Sequence, residues 1–211
     1  MKRTLLSLSA LFLFACGDAP ATVDLTLLRV GDTTFETNNN GAVFTVALTE
    51  GALDLEAINL VNAEESPLLG AETSFDFFTN DNLKALGVAA PNESFDQVHV
   101  IPVSGAGSVA LRLAFAVTLS DTTVVNGELN LSFVAEEEQE IDQVLDLTEG
   151  GLTAITLAFD PAKTLDALDF DVLGAGGDFI LEAGTNNVDI DAALVTIEEN
   201  LLTSFAFISA L

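Results

Sequence analysis

Residues 128–133 read E-L-N-L-S-F, which sets Leu129, Leu131 and Phe133 on one face and Glu128, Asn130 and Ser132 on the other. Alternation of period two marks a strand with one face buried. Comparable patterns run through 23–30, 43–49, 73–78, 95–103, 109–119, 152–159 and 178–183. Turn signals separate them. NNNG at 38–41 ends in Asn-Gly, a pair suited to the positive φ angles of a tight hairpin. SGAGS (104–108) and GAGGD (174–178) each divide two apolar runs, as hairpin loops would. Many short strands with frequent turns predict a mainly β chain folded as an antiparallel β-sandwich. With no repeat of fixed period and no break in composition, residues 23–211 read as one domain.

Near the C-terminus the period changes. Leu194, Ile197, Leu201, Phe205 and Ile208 are spaced three or four apart, with Glu198, Glu199 and Asn200 between them. That spacing predicts a C-terminal amphipathic helix, capped by Asp191 and packed on one end or face of the sandwich.

The N-terminal end has a different pattern again. Lys2 and Arg3 precede an uncharged apolar run at 4–14, and small Ala15 stands before Cys16. The run is about half the roughly 20 residues that a membrane-spanning helix needs, but it has the proportions of a secretory signal core. Residues 1–15 therefore read as a cleaved signal peptide. Residues 16–22, including Pro20, form a short linker whose last six residues reach only about 20 Å when extended.

Charge narrows the list of partners. The whole chain carries 33 acidic and six basic residues, a formal charge of −27. Loss of the leader removes Lys2 and Arg3, leaving 33 acids against four bases, or −29. Such a surface repels phosphate backbones and anionic lipid heads, so nucleic acid is not an expected partner. The 15 Phe with no Tyr and no Trp suit a core that needs no hydrogen-bond partner for its rings. That usage counts against a carbohydrate-stacking surface, and against an outer-membrane barrel with aromatic girdles.

Cys16 is the only cysteine in the chain, so it cannot form an internal disulfide. The stretch L-F-A-C-G-D (13–18) resembles the lipobox of bacterial lipoproteins. That resemblance implies a diacylglyceryl group on the Cys16 thiol, cleavage before Cys16 and acylation of the new amine. Each buried methylene contributes about 0.8 kcal/mol, so several chains together anchor a protein durably. Gly17 after the cysteine resembles the sorting pattern that sends enterobacterial lipoproteins to the outer membrane. Two later stretches, F-D-P-A-K-T-L-D-A-L-D-F (159–170) and V-T-I-E-E-N-L-L-T-S-F-A-F (195–207), resemble segments of uncharacterised lipoproteins from myxobacteria-like bacteria. The resemblance implies an immunoglobulin- or transthyretin-like sandwich. Thr164 and Leu165 stand where those proteins carry an aromatic pair.

Catalytic signals are sparse. The single histidine, His99, lies in S-F-D-Q-V-H-V-I-P-V, where alternation puts Val98 and Val100 inward and His99 on the solvent side. No G-x-S-x-G occurs, and a lone histidine is short of the two or more His or Cys ligands usual at zinc or copper sites. GAGGD lacks the Lys-Ser/Thr of a phosphate loop. The run E-E-E-Q-E at 136–140 reads as a solvated loop or edge. Asn92 and Asn130 stand in Asn-x-Ser sites that a bacterial lipoprotein would leave unglycosylated. Asp169 with Asp171, and Asp189 with Asp191, are spaced to project about 7 Å apart from one strand face, where they could hold calcium or perform acid–base work. The expectation is a lipid-anchored envelope protein of non-enzymatic, structural or interaction role. The alternatives are a calcium- or other cation-binding module at these four aspartates, and a carboxylate-dependent envelope hydrolase.

Overall fold

The computed structural model describes residues 19–62, 65–79 and 82–210, so Cys16 and the leader lie outside the described residues. In chain order the first strands are β1 (Ala21–Arg29), β2 (Thr34–Asn39), β3 (Ala42–Val61), β4 (Glu65–Asp76) and β5 (Asn82–Ala90). They are followed by β6 (Ser94–Pro102), β7 (Leu111–Thr118), β8 (Val124–Leu131), β9 (Gln139–Asp146) and β10 (Leu152–Phe159). Two short helices, α1 (Pro161–Thr164) and α2 (Phe170–Leu173), precede β11 (Phe179–Glu182), α3 (Val188–Thr203) and β12 (Phe205–Ala210). The chain is mainly β, and no helix among the described residues is long and apolar enough to cross a membrane.

The strands form two mixed sheets. One has the order β12-β10-β1-β5, with β1 and β10 parallel. The other is organised on β3, whose 20 residues carry register shifts at 48/50 and 55/57 that let it bend. Along one edge of β3 lie β2 and then β4; along the other lie β7 and then β6. β8 and β11 extend this sheet beyond β7, and β9 extends it beyond β6. The β8–β11 pair is also parallel, while the other strand pairs of both sheets are antiparallel, so among the described residues the pairing is mostly antiparallel, as the sequence suggests.

The hairpin at Asn40 and Gly41 forms as the sequence suggests, with φ of 51° and 90° joining β2 to β3. The other two glycine loops do not make hairpins. SGAGS joins β6 to β7, which follow one another along β3 and do not pair with each other. GAGGD leaves α2 and delivers β11 to the far side of β8.

The C-terminal pattern resolves into two elements. Asn187, rather than Asp191, caps α3: its side chain accepts from the Asp189 N–H at 3.0 Å. Leu194, Ile197 and Leu201 are buried as the helical spacing requires. The helix stops at Thr203, however, and Phe205 and Ile208 belong to β12, antiparallel to β10. The aromatic and β-branched run F-A-F-I suits a strand, and Phe205 stacks on Phe159 with ring centroids 5.1 Å apart.

Phenylalanine rings link the layers. Phe77, just past β4, meets Phe159 of β10 at 5.4 Å, and Phe170 of α2 meets Phe44 of β3 at 5.5 Å. All four rings are fully buried in one core drawn from both sheets. A Tyr or Trp at these places would bring a polar atom needing a partner.

The domain takes hold of the chain before β1 begins. The Ala19 N–H donates to Glu149 Oε1 (3.2 Å), while its carbonyl accepts from Asn92 Nδ2 (2.6 Å) and the Gly150 N–H (3.3 Å). The linker is thus fixed to the loops at 91–93 and 147–151, four residues earlier than the alternation at 23–30 suggests.

Candidate functional site

The four aspartates lie in helical turns and loops, not on strands. Asp169 caps α2, accepting from the Val172 N–H at 3.2 Å. Asp171, in the first turn of α2, accepts from the Ser120 N–H (3.0 Å) and Oγ (2.5 Å), fastening α2 to the turn between β7 and β8. Asp189 and Asp191 occupy the exposed first turn of α3, where negative charge complements the helix dipole. Residues two apart on a helix do not face each other, so neither D-x-D motif presents paired carboxylates from one face. The expected calcium geometry at Asp169, Asp171, Asp189 and Asp191 is therefore not formed. Asp169 and Asp189 do line a common cleft of about 240 Å³ between α2 and α3, but each stands there without its motif partner.

His99 departs furthest from expectation. It is 6% exposed, not a solvent-side residue. Alternation within β6 does face it away from Val98 and Val100, but that second face of the sheet is also covered, and residues 98–103 are buried without a break. A row of paired residues crosses the sheet here: Pro67 on β4, Asn59 on β3, His99 on β6 and Glu140 on β9. Glu65 opens β4, on the far side of β3 from β6, and Glu138 immediately precedes β9, the neighbour of β6 on its other edge. One ligating atom each from Glu65, His99 and Glu138 lie within 4.8 Å of one another.

The hydrogen bonds around this cluster have a fixed direction. Gln97 Nε2 donates to Asp142 Oδ1 (2.9 Å) and Glu140 Oε2 (3.4 Å). Carboxylates accept, so the amide nitrogen of Gln97 must face them and its Oε1 must face His99 Nε2, 3.1 Å away. His99 Nε2 therefore carries hydrogen. Its Nδ1 then stands 2.9 Å from Glu138 Oε2, which is also an acceptor. A neutral imidazole has a single N–H, so the Nδ1 contact is satisfied by a hydrogen carried on either partner or by a metal ion between the two atoms. On the other side, Asn59, itself 6% exposed, donates to Glu65 Oε2 at 2.8 Å and holds that carboxylate toward the cluster.

The sequence singles out His99 but not Glu65, Glu138 or the orienting pair Gln97 and Asn59. A faint signal was present, since a histidine inside an unbroken apolar run is poorly explained by a wet strand face. No protein-family model matches the chain, and no curated protein or solved structure matches it significantly.

Proposed function

We propose that this chain is a lipid-anchored, non-enzymatic protein of the bacterial cell envelope, carried to the outer membrane and serving a structural or interaction role there. The observation that carries the reading is the stretch L-F-A-C at 13–16 with the sole cysteine at its end. The folded domain supports it by taking hold of the backbone at Ala19, three residues on. In this reading the two sheets, joined by a shared core, are the layers of an immunoglobulin- or transthyretin-like sandwich. The acidic surface keeps the domain soluble and off anionic lipid heads while acyl chains hold it at the bilayer. Cys16→Ala in the full-length chain should move the protein from the detergent phase to the aqueous phase in a Triton X-114 partition. Retention of the variant with membranes would overturn the anchor.

A second reading, a cation-binding module, is favoured by the buried His99 with Glu65 and Glu138 around it. It is compatible with the anchor and does not depend on it.

A further inference from the structure

We infer that Glu65, His99 and Glu138 form a binding site for a divalent cation of the zinc class, with the imidazole bound through Nδ1. The inference rests on the cation-binding reading and names its site and metal. Three protein ligands of nitrogen and oxygen type, with further positions left to water, make a set that zinc and neighbouring first-row dications accept. Calcium coordinates oxygen alone, so a ring nitrogen among the ligands selects against it.

The orienting shell is the stronger argument. A metal-bound histidine characteristically donates its other N–H to a carbonyl or carboxylate, which fixes the tautomer and the ring. His99 Nε2 has that partner in Gln97 Oε1, and Gln97 is held in turn by Asp142 and Glu140. Nδ1 faces Glu138 Oε2 at 2.9 Å, from a side chain more than nine-tenths buried. Asn59 performs the corresponding task for Glu65.

The distances permit it. Tetrahedral zinc with bonds of about 2.0–2.1 Å sets its ligand atoms roughly 3.3 Å apart. The His99–Glu138 contact of 2.9 Å has to open slightly, and the three ligand atoms, all within 4.8 Å of one another, have to settle to a common spacing. Glu138, at an exposed position, can make that adjustment, whereas Glu65 is oriented by Asn59 and His99 is fixed. Two carboxylates and a neutral imidazole carry a charge that a dication cancels, and a chain of formal charge −27 raises the local concentration of cations.

His99 is the only histidine, so the ring nitrogens can be observed without assignment in the full-length protein. The chain should be ¹⁵N-labelled, purified without a histidine tag, stripped with chelator and studied by long-range ¹H–¹⁵N correlation. One equivalent of zinc should shift Nδ1 to the position of a metal-bound nitrogen while Nε2 keeps its hydrogen. Calcium at the same concentration and ionic strength should leave both nitrogens unchanged. Glu138→Gln and Glu65→Gln, both at exposed positions, should each weaken zinc binding roughly tenfold or more in competition with a chromophoric chelator. An imidazole that stays doubly protonated through the zinc titration would overturn the site and identify the Nδ1 occupant as a proton. Zinc affinity unchanged in both glutamine variants would overturn it as well. Calcium binding with the imidazole undisturbed and zinc inactive would overturn this site while leaving the broader cation-binding reading standing.

Discussion

Gly127 sits in the middle of β8, paired with Phe115 on β7 and Phe179 on β11, and both rings fold over it. A Cβ at this position would lie 2.4 Å from Phe115 Cε2, 2.5 Å from Cζ and 3.0 Å from Phe179 Cζ. Ordinary contact begins near 3.4 Å, so the Phe115 ring would have to retreat by about 1 Å in a close-packed interior. Phe115 makes edge contacts with Phe170 and Phe179, each at 6.0 Å, and Phe170 carries the strain on to Phe44. Overpacking of this kind costs about 1–3 kcal/mol, while replacing a strand glycine by alanine returns about 0.5–1 kcal/mol of backbone entropy. Packing wins, and Gly127→Ala should lose about 1–2 kcal/mol. For a domain of about 190 residues that is a fall in Tm of roughly 2–8 °C, read from the β-sheet circular dichroism signal on heating. Gly176→Ala is the control: its Cβ meets nothing within 4 Å, so it should stay within about 0.5 kcal/mol of the parent. Adding Phe115→Leu to Gly127→Ala should cost less than the two separate losses together, because the clash is removed. A Gly127→Ala variant as stable as the parent would show that the ring does not occupy this space.

Three other outcomes follow from the hydrogen bonds and charges. Thr37, buried on β2, donates to Asp166 Oδ1 (2.6 Å) and accepts from the Ala167 N–H (3.2 Å), so Thr37→Val should cost about 1–3 kcal/mol in urea unfolding, with Thr37→Ser retaining most of it; equal midpoints for Val and Thr would refute this. Backbone N–H groups of Thr79, Thr123 and Asn126 are the first causes that hold the Asp76, Asp121 and Asp178 carboxyls below their ordinary 3.8. Their folded values lie below the unfolded ones, so the stability they add is whole above about pH 4 and is lost as pH falls through the folded values; Asp178→Asn should flatten the acid limb of a stability–pH curve, and an unchanged limb would count against it. Burial first, and then the charge of Glu137, push the Glu198 carboxyl the other way, above its ordinary value. Ionising it therefore costs stability at neutral pH that returns as pH falls, so Glu198→Gln should raise Tm at pH 7 and not at pH 4; an equal shift at both would refute the assignment.

The strands legible in the sequence are those with one wet face and one dry face. In β1, Val23, Leu25 and Leu27 are buried while Thr22, Asp24 and Thr26 are half-buried, and the alternation is plain. The edge strand β5 has no legible alternation: it bears Leu86 outward, and Gly87 at φ 68° interrupts its period. β9 was hidden because its acidic residues read as part of the run beginning at Glu136. β12 was concealed by coincidence: Phe205 and Ile208 continue the helical spacing of Leu201, and only the open edge of β10 turns them into a strand. The D-x-D spacing fits a strand face and a helical turn alike, so it carries no information about whether the backbone at Asp169, Asp171, Asp189 and Asp191 is extended or helical. The His99 cluster had no motif to find. Residues 65, 99 and 138 are brought together by the neighbour order β4-β3-β6-β9, and that order is a property of the sheet, not of any local stretch.

The hydrogen bonds at Ala19 bear on more than the start of β1. Between Cys16 and Ala19 the backbone can span no more than about 11 Å. If acyl chains sit on Cys16, the end of the small sheet that holds Ala21, Ala90 and Leu152 must then stand almost against the lipid headgroups. Because β10 runs parallel to β1, its other end delivers Phe159 and α1 to the opposite end of the sheet, where α3 also returns the chain to β12; an anchor at Cys16 would point that end away from the bilayer. The domain so held has a floor and a roof. With that anchor, the loops at 91–93 and 147–151 would be the floor, shielded from macromolecules, and the helices at the other end would be the roof that an approaching partner meets first.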